Sequence, residues 1–342
     1  MKNLTLKLAL KFLRLLPPEI SSKISLISIK FFFSLSKILI KKNETSEAKK
    51  YVYEMKALKF KNHLGLAAGL DKEGKYFASL AALGFSFIEV GTFTPKLQKG
   101  NNHPRILRIP DKDSLINRLG FNNPGIELGL KNVKKNMRNF HGILGLSIGK
   151  NKSTSLENAH RDYIYCLQRS YDLANYIALN ISSPNTEGLR DLASKEYFES
   201  LIKEVSNKKN KLIKHHQKDV PVLLKISPDE NRDTIENLIN VSLYYGIDGF
   251  IVSNTTKAKL GNFEGGLSGK LLKEKSLNLL KIVNSIASND SLIISSGGIS
   301  SKEDLIERLD NGANLVQVYT SFVYEGPSMI KRICKGILKA GI

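Results

Sequence analysis

The chain has little sulfur: its 342 residues include two cysteines, Cys166 and Cys334. Two thiols cannot build a disulfide framework or a four-thiolate metal site, and they fit a reducing compartment. Cys166 falls inside a helical pattern, which gives it a packing role. Long apolar runs are missing as well. No stretch reaches the ~18 uninterrupted apolar residues of a spanning helix. No A-x-A-like site follows a compact apolar region, so no signal peptide is expected. Histidine, cysteine and carboxylates are not clustered as metal ligands, so no metal is expected, and no Ser-His-Asp arrangement is evident. His63, His103, His141, His160, His215 and His216 fall mostly away from the strand ends and read as surface or packing residues. Proline is modest at 10 residues; with 42% hydrophobic and 25% charged residues, the composition is that of an ordinary globular chain.

Acidic residues are also scarce, 32 against 52 Lys and Arg, for a net charge of +20. Such an excess suggests an anionic partner. Its distribution matters more than its size: residues 1–50 hold eleven Lys and Arg against three Glu, and elsewhere there is no long basic block. Nucleic acid is therefore not expected as a partner.

Residues 1–16 form an amphipathic pattern, with Lys7, Lys11 and Arg14 on one face and Leu6, Leu10, Phe12 and Leu13 over much of the rest. Pro17 and Pro18 end it. A second helical pattern, about 22–40, carries Lys23, Lys30 and Lys37 as a stripe and includes the run Phe31 to Phe33. Two apolar helices with lysine stripes suit a hairpin lying in a membrane interface; the alternative is that they pack on the main domain. Residues 41–52 read as a linker, giving two domains, 1–45 and 46–342.

From residue 60 the pattern alternates strands and helices. Short apolar strands are expected near 64–68, 86–90, 142–148, 176–181, 221–227, 249–254, 292–296 and 315–319, with helices such as 157–174, 194–216, 231–245, 301–310 and 327–339. Eight parallel strands, each buried on both faces, read as an α/β fold, a (β/α)8 TIM barrel. A non-helical insertion at 92–118 belongs at its rim.

In such a barrel the functional residues sit at the carboxyl ends of the strands. The stretch Asn180–Arg190, NISSPNTEGLR, lies there and presents amides and hydroxyls, with Ser183 as a proton-transfer candidate. Ala67–Lys72 follows the first strand, and Gly91–Thr92 the second. Lys225 lies within the apolar fifth strand, and Ser253–Thr255 ends the sixth. A buried lysine is costly unless paired, so Lys225 is expected to meet an anionic or electron-rich ligand. Ser296–Gly298 and Tyr319–Thr320 end the last two strands, where barrels often bind a phosphate. Glu264–Gly269 is a further glycine-rich loop near that rim. The inventory suits an organic cofactor that does the hard chemistry while the protein supplies position and charge.

These residues fall into motifs: GLAAGLDK at 65–72, GT-x-TP at 91–95, NRLGFNNPG at 117–125, NISSPNT at 180–186, SNTT at 253–256, GGLSG at 265–269 and SGGI at 296–299. In that order they resemble the quinone-dependent, class 2 dihydroorotate dehydrogenases over about residues 50–340. The helical pair resembles that family's quinone-access domain. The resemblance implies oxidation of (S)-dihydroorotate to orotate in pyrimidine biosynthesis, with FMN as hydride acceptor and a membrane quinone as final acceptor. Ser183 is implied as the base removing the C5 proton. Lys72, Asn117, Arg118, Leu119, Gly120, Phe121, Asn180, Asn185, Asn254 and Thr255 are implied to hold the substrate. Ala68, Gly69, Leu70, Asp71, Lys72, Thr92, Ser147, Asn180, Lys225 and Ser253 are implied to hold the flavin. Gly269, Gly298, Tyr319 and Thr320 are implied to hold its phosphate. The family usually has Asn at the position of Ser147 and often Thr at that of Ser253. A monomer at the cytoplasmic side of a bacterial inner membrane is expected, since no Arg- and Ser-rich transit segment precedes the hairpin. A flavin-dependent tRNA dihydrouridine synthase would need a cysteine acid at the mouth and an RNA-binding domain, and neither is visible. A barrel that has lost activity is disfavoured by the Ser183, Lys72 and Lys225 set.

Overall fold

The computed structural model describes residues 2–39, 52–138 and 140–337. The linker expected at 41–52, and with it the domain boundary, falls almost wholly outside the described residues, as do the side chains of Lys7 and Lys37. Eight parallel strands close into a barrel: β1 Leu64–Leu66, β2 Phe87–Phe93, β3 Ile143–Ile148, β4 Tyr176–Asn180, β5 Val222–Ile226, β6 Gly249–Val252, β7 Leu292–Ser296 and β8 Leu315–Val318. Their apolar runs are buried outside by helices such as Ala159–Ser170, Lys195–His216 and Arg232–Tyr244, and inside by one another. Each fully buried Leu or Phe contributes about 2 kcal/mol. Inside, Phe60 meets the Phe87 ring edge-on at 5.7 Å, closing the amino-terminal end. The parallel register pairs Asn180 with Lys225 and Ser296 with Gln317, so polar side chains gather at the opposite end.

That end carries a second sheet. The insertion expected at the rim contains Ile106–Ile109 and Ser114–Asn117, which join Thr256–Leu260 and Phe263–Gly269 in a four-stranded antiparallel sheet. The glycine-rich segment expected as a loop is thus a strand. A Cβ at Gly265 would lie 2.3 Å from the Asn117 carbonyl oxygen, and one at Gly266 would lie 2.1 Å from Thr255 Oγ1. Glycine here permits close approach rather than a turn.

Ahead of the barrel, α1 (Lys2–Leu15) and α2 (Pro18–Leu39) form the expected hairpin. Pro18 starts α2, as suits a residue with no amide hydrogen at a first helical position. The hairpin packs on the main domain, one of the two alternatives, while part of its apolar surface stays uncovered. One face docks on the barrel through buried Leu26 with Ile29 and Phe33. The other exposes Leu8, Phe12, Leu15, Ile20, Ile24, Ile27, Phe31, Phe32 and Leu35. Lys30 of the expected stripe turns inward, its Nζ donating to the Lys75 carbonyl at 2.9 Å, and Lys23 lines a cavity beneath α2. No described helix is long and apolar enough to cross a membrane.

Candidate active site

A cavity of about 360 Å³ opens at the carboxyl ends of the strands, within the size range of small-molecule sites. Its walls include Ala68, Gly69, Lys72, Thr92, Asn117, Leu119, Gly120, Phe121, Asn180, Ser183, Asn185, Lys225, Ser253, Asn254, Thr255, Gly269, Gly298, Tyr319 and Thr320. All of these were singled out in the sequence. Four others stand outside the wall. The Asp71 carboxylate accepts the backbone amides of Glu73, Lys75, Tyr76 and Phe77, and so shapes the turn after β1. Arg118 donates through Nε to the Pro104 carbonyl at 2.8 Å and stacks over Phe263. Leu70 faces the cavity beneath α2. Ser147 is fully buried and reaches the site through Thr92, whose hydroxyl lies 2.8 Å from its own.

The polar wall is held by contacts between distant strands. Asn180 Nδ2 donates to Thr92 Oγ1 at 3.0 Å, and Asn254 Nδ2 donates to Asn180 Oδ1 at 3.2 Å and to Ser182 Oγ at 3.0 Å. Asn185 Nδ2 donates to Asn117 Oδ1 at 2.9 Å, tying the Ser183 loop to the second sheet. The Asn117–Phe121 loop is braced from behind: Gln98 Nε2 donates to the Gly120 carbonyl, and Asn123 Nδ2 to the Phe121 carbonyl. Ser183 Oγ accepts one long bond, 3.3 Å, from the Asn185 amide. Three residues on, Thr186 Oγ1 is buried with no partner among the described residues.

The cavity floor has a feature the sequence reading missed. Lys225 lies 3.4 Å from Glu89 Oε1, and Glu89 Oε2 accepts from Gln317 Nε2 at 2.8 Å and from the Tyr176 hydroxyl at 3.1 Å. Lys225 therefore has a protein carboxylate as partner, where a ligand alone was expected. The signal was one glutamate inside the apolar run of β2. Gln317 Oε1, also at the cavity wall, is buried with no partner among the described residues, so a donor is wanted there. At the wall, burial pulls the Lys72 ammonium down to about 8, although Glu19 pulls it the other way. Burial pushes the Tyr319 hydroxyl up to about 12, so it stays protonated.

At the far end, Gly298 passes so close to the start of helix Lys273–Ile286 that a Cβ would lie 2.5 Å from Lys273 Cα. Arg308, fully buried, donates through Nη2 to the Gly297 carbonyl at 3.0 Å and to the Lys273 carbonyl at 2.9 Å. The loop is thus fixed from below. Beside the main cavity a second, of about 340 Å³, lies between α2 and the barrel. Glu19, Ser22, Lys23, Leu26 and Ile106 line it, and Lys72 and Tyr319 line both cavities. Arg105 Nη2 donates to Glu19 Oε1 at 2.6 Å at its edge, with His103 Nδ1 2.7 Å from Glu19 Oε2.

Comparison with known proteins is consistent in every direction. A family model described as dihydroorotate dehydrogenase matches residues 52–340. Dihydroorotate dehydrogenase (quinone) from Legionella pneumophila (strain Corby) is 44% identical over 287 residues, 82% of this chain and 86% of that protein. The protein of the same name from Neisseria meningitidis serogroup C (strain 053442) is 40% identical over 340 residues, 97% of this chain and 98% of that one, hairpin included. Among solved structures, the dihydroorotate dehydrogenase of Eimeria tenella in complex with ferulenol superposes with a TM-score of 0.80 at 32% identity, covering 90% of this chain and 89% of that one.

Proposed function

The chain belongs to the dihydroorotate dehydrogenase family, and from that premise we propose how its cavity works. The enzyme oxidises dihydroorotate in pyrimidine synthesis with a quinone as acceptor, and the family is flavin-dependent. The flavin here is FMN. The residues suit it: small Ala68 and Gly69 beside a flat space, a lysine and an orphaned amide oxygen at the floor, and backbone near Gly269, Gly298 and Thr320 for a phosphate. Bound there, FMN would supply the hydride acceptor for C6 of the substrate and the redox link to the quinone.

The protein's own part is position, charge and one proton. Lys72, protonated, holds the substrate carboxylate, while Asn117, Asn180, Asn185 and Asn254 hold the planar ring without adding charge. Ser183 removes the C5 proton. A serine is a weak base in water, so the step needs the enclosed setting this loop gives and a hydroxyl to pass the proton on. We assign that relay to Thr186, three residues on, whose buried hydroxyl has no partner among the described residues. Lys225, directed by Glu89, would supply charge stabilisation to the reduced cofactor.

The quinone reaches the cofactor through the second cavity, between α2 and the barrel. The hairpin (1–45) is a separate unit that rests in the membrane interface by its exposed apolar face, and residues from 46 form the catalytic barrel. Quinone-linked members of the family are membrane-associated; the location proposed here is the cytoplasmic face of a bacterial inner membrane, with the enzyme a monomer. The observation that carries this reading is the convergence of Ser183, Lys72 and Lys225 on one cavity. It is tested by releasing the cofactor from purified protein and by adding dihydroorotate without oxygen. FMN and loss of the flavin absorbance are expected; a protein without flavin, or one that dihydroorotate does not bleach, rejects it.

A further inference from the structure

One guanidinium grips the loop that carries Ser183. Arg190 closes that stretch and turns back on it: Nε donates to the Ser182 carbonyl at 3.2 Å, Nη2 to the Thr255 carbonyl at 3.0 Å, and Nη1 to Asp229 Oδ2 at 2.7 Å. Asp229 is itself tied to the loop after β6 by the Lys257 amide at 2.8 Å and the Thr256 hydroxyl, and it meets the Lys275 ammonium. Burial alone would raise the Asp229 carboxyl, but bonds from Lys275, Thr256 and Arg190 outweigh it and hold the group well below the usual carboxylate range. Asp229 is thus ionised at any working pH, and the side chains of the pair are only 13% and 17% exposed. Neither residue lines the cavity.

We propose that Arg190, oriented by Asp229, is a positioning residue for proton removal: it locks the base loop after β4 to the substrate loop after β6. This rests on the reading of Ser183 as base. Ser183 has little of its own to hold it, one 3.3 Å bond from a neighbouring amide, so the backbone must set its place. The carbonyl gripped on one side belongs to the residue just before Ser183. The other belongs to Thr255, at the substrate wall. A planar guanidinium holds its three acceptors in one rigid fork, a geometry the compact ammonium of a lysine does not reproduce. Displacing a reacting group by about 1 Å can cost about 100-fold in rate. Proton removal from C5 and hydride loss from C6 belong to the same half-reaction, whereas reoxidation by quinone does not use the base, so a positioning role predicts damage to the first half-reaction only.

The test uses the full-length, flavin-loaded enzyme with Arg190→Lys and Asp229→Asn, followed anaerobically in a stopped-flow spectrometer. For Arg190→Lys, bleaching by dihydroorotate is expected to slow by about 50-fold, with about tenfold for Asp229→Asn. Flavin content, and reoxidation by a soluble quinone after dithionite reduction, are expected to stay within about twofold of the parent. The deuterium isotope effect from C5 of the substrate should grow, because proton removal becomes the slower event. Added ethylguanidine should restore part of the rate to Arg190→Ala. Unchanged bleaching in both variants overturns the proposal, and so does an equal loss of bleaching and reoxidation, which marks a general structural role. If Arg190→Lys does not fold, Asp229→Asn decides by the same criteria. A parent enzyme that dihydroorotate does not bleach would instead reject the underlying assignment of function.

Discussion

The barrel mouth and the helical hairpin are held to the molecule in different ways. At the mouth the asparagines and the floor lysine are fixed by partners from distant strands or loops, as Asn180 is by Thr92 and Asn254, and Lys225 by Glu89. The hairpin rests on a narrow apolar seam around Leu26 and a few polar ties, among them Glu19 with Arg105 and the Arg14 and Leu16 carbonyls with Arg108. Its opposite face is apolar and exposed. Fixed geometry suits bond-breaking at a defined atom; a loosely tied apolar element suits delivery of a lipid-like acceptor. The two regions share Lys72 and Tyr319 at their cavity walls, so the division of labour has a definite boundary.

The sharpest way to break this comparison is at the base. Ser183→Ala is expected to retain flavin and slow bleaching by dihydroorotate about 10²–10⁴-fold, while dithionite-reduced enzyme is still reoxidised by quinone. A parent-like bleaching rate removes Ser183 from the mechanism. Next in size is the floor. Glu89→Gln leaves a buried ammonium without its carboxylate and is expected to cost about 3 kcal/mol, read from urea denaturation of the flavin-loaded protein. A change below about 1 kcal/mol would show that Lys225 does not need this partner.

A pH profile tests the shared wall. With Lys72 near 8 in the free enzyme, the protonated form proposed to hold the substrate carboxylate is full below that pH and falls as pH rises through it. KM for dihydroorotate is expected to climb about tenfold per pH unit above 8, and Lys72→Met should abolish that climb. A KM flat to pH 10 contradicts the assignment. The smallest effect belongs to the hairpin. Glu19→Gln weakens a partly exposed pair and is expected to cost about 1 kcal/mol, seen as faster proteolysis of the hairpin with dihydroorotate-driven bleaching unchanged.

The barrel was legible because its strands are apolar runs buried on both faces, as in Val222–Ile226 and Leu292–Ser296. The loop carrying Ser183 was legible as part of the cavity wall because hydroxyls and amides crowd where such a run ends. The second sheet was not. Phe263–Gly269 has four side-chain-bearing residues among its glycines, and its pairing with Ser114–Asn117 follows from close backbone approach, which composition does not announce. The Glu89–Lys225 pair spans 136 positions, and the Arg190 contacts to Asp229 and Thr255 span 39 and 65. Each residue looks ordinary until the barrel closes. A helical period likewise says which residues share a face, not which surface each one meets: Lys30 of the α2 stripe reaches the Lys75 carbonyl.

The most direct test is a two-step anaerobic titration of the full chain and of a chain lacking residues 1–45. Dihydroorotate is added first, then a membrane-like quinone in detergent. The account predicts equal bleaching in both proteins, followed by prompt recovery of the flavin absorbance only where the hairpin is present. Equal recovery without the hairpin, or a loss of bleaching along with it while flavin is retained, would contradict the division between the two regions.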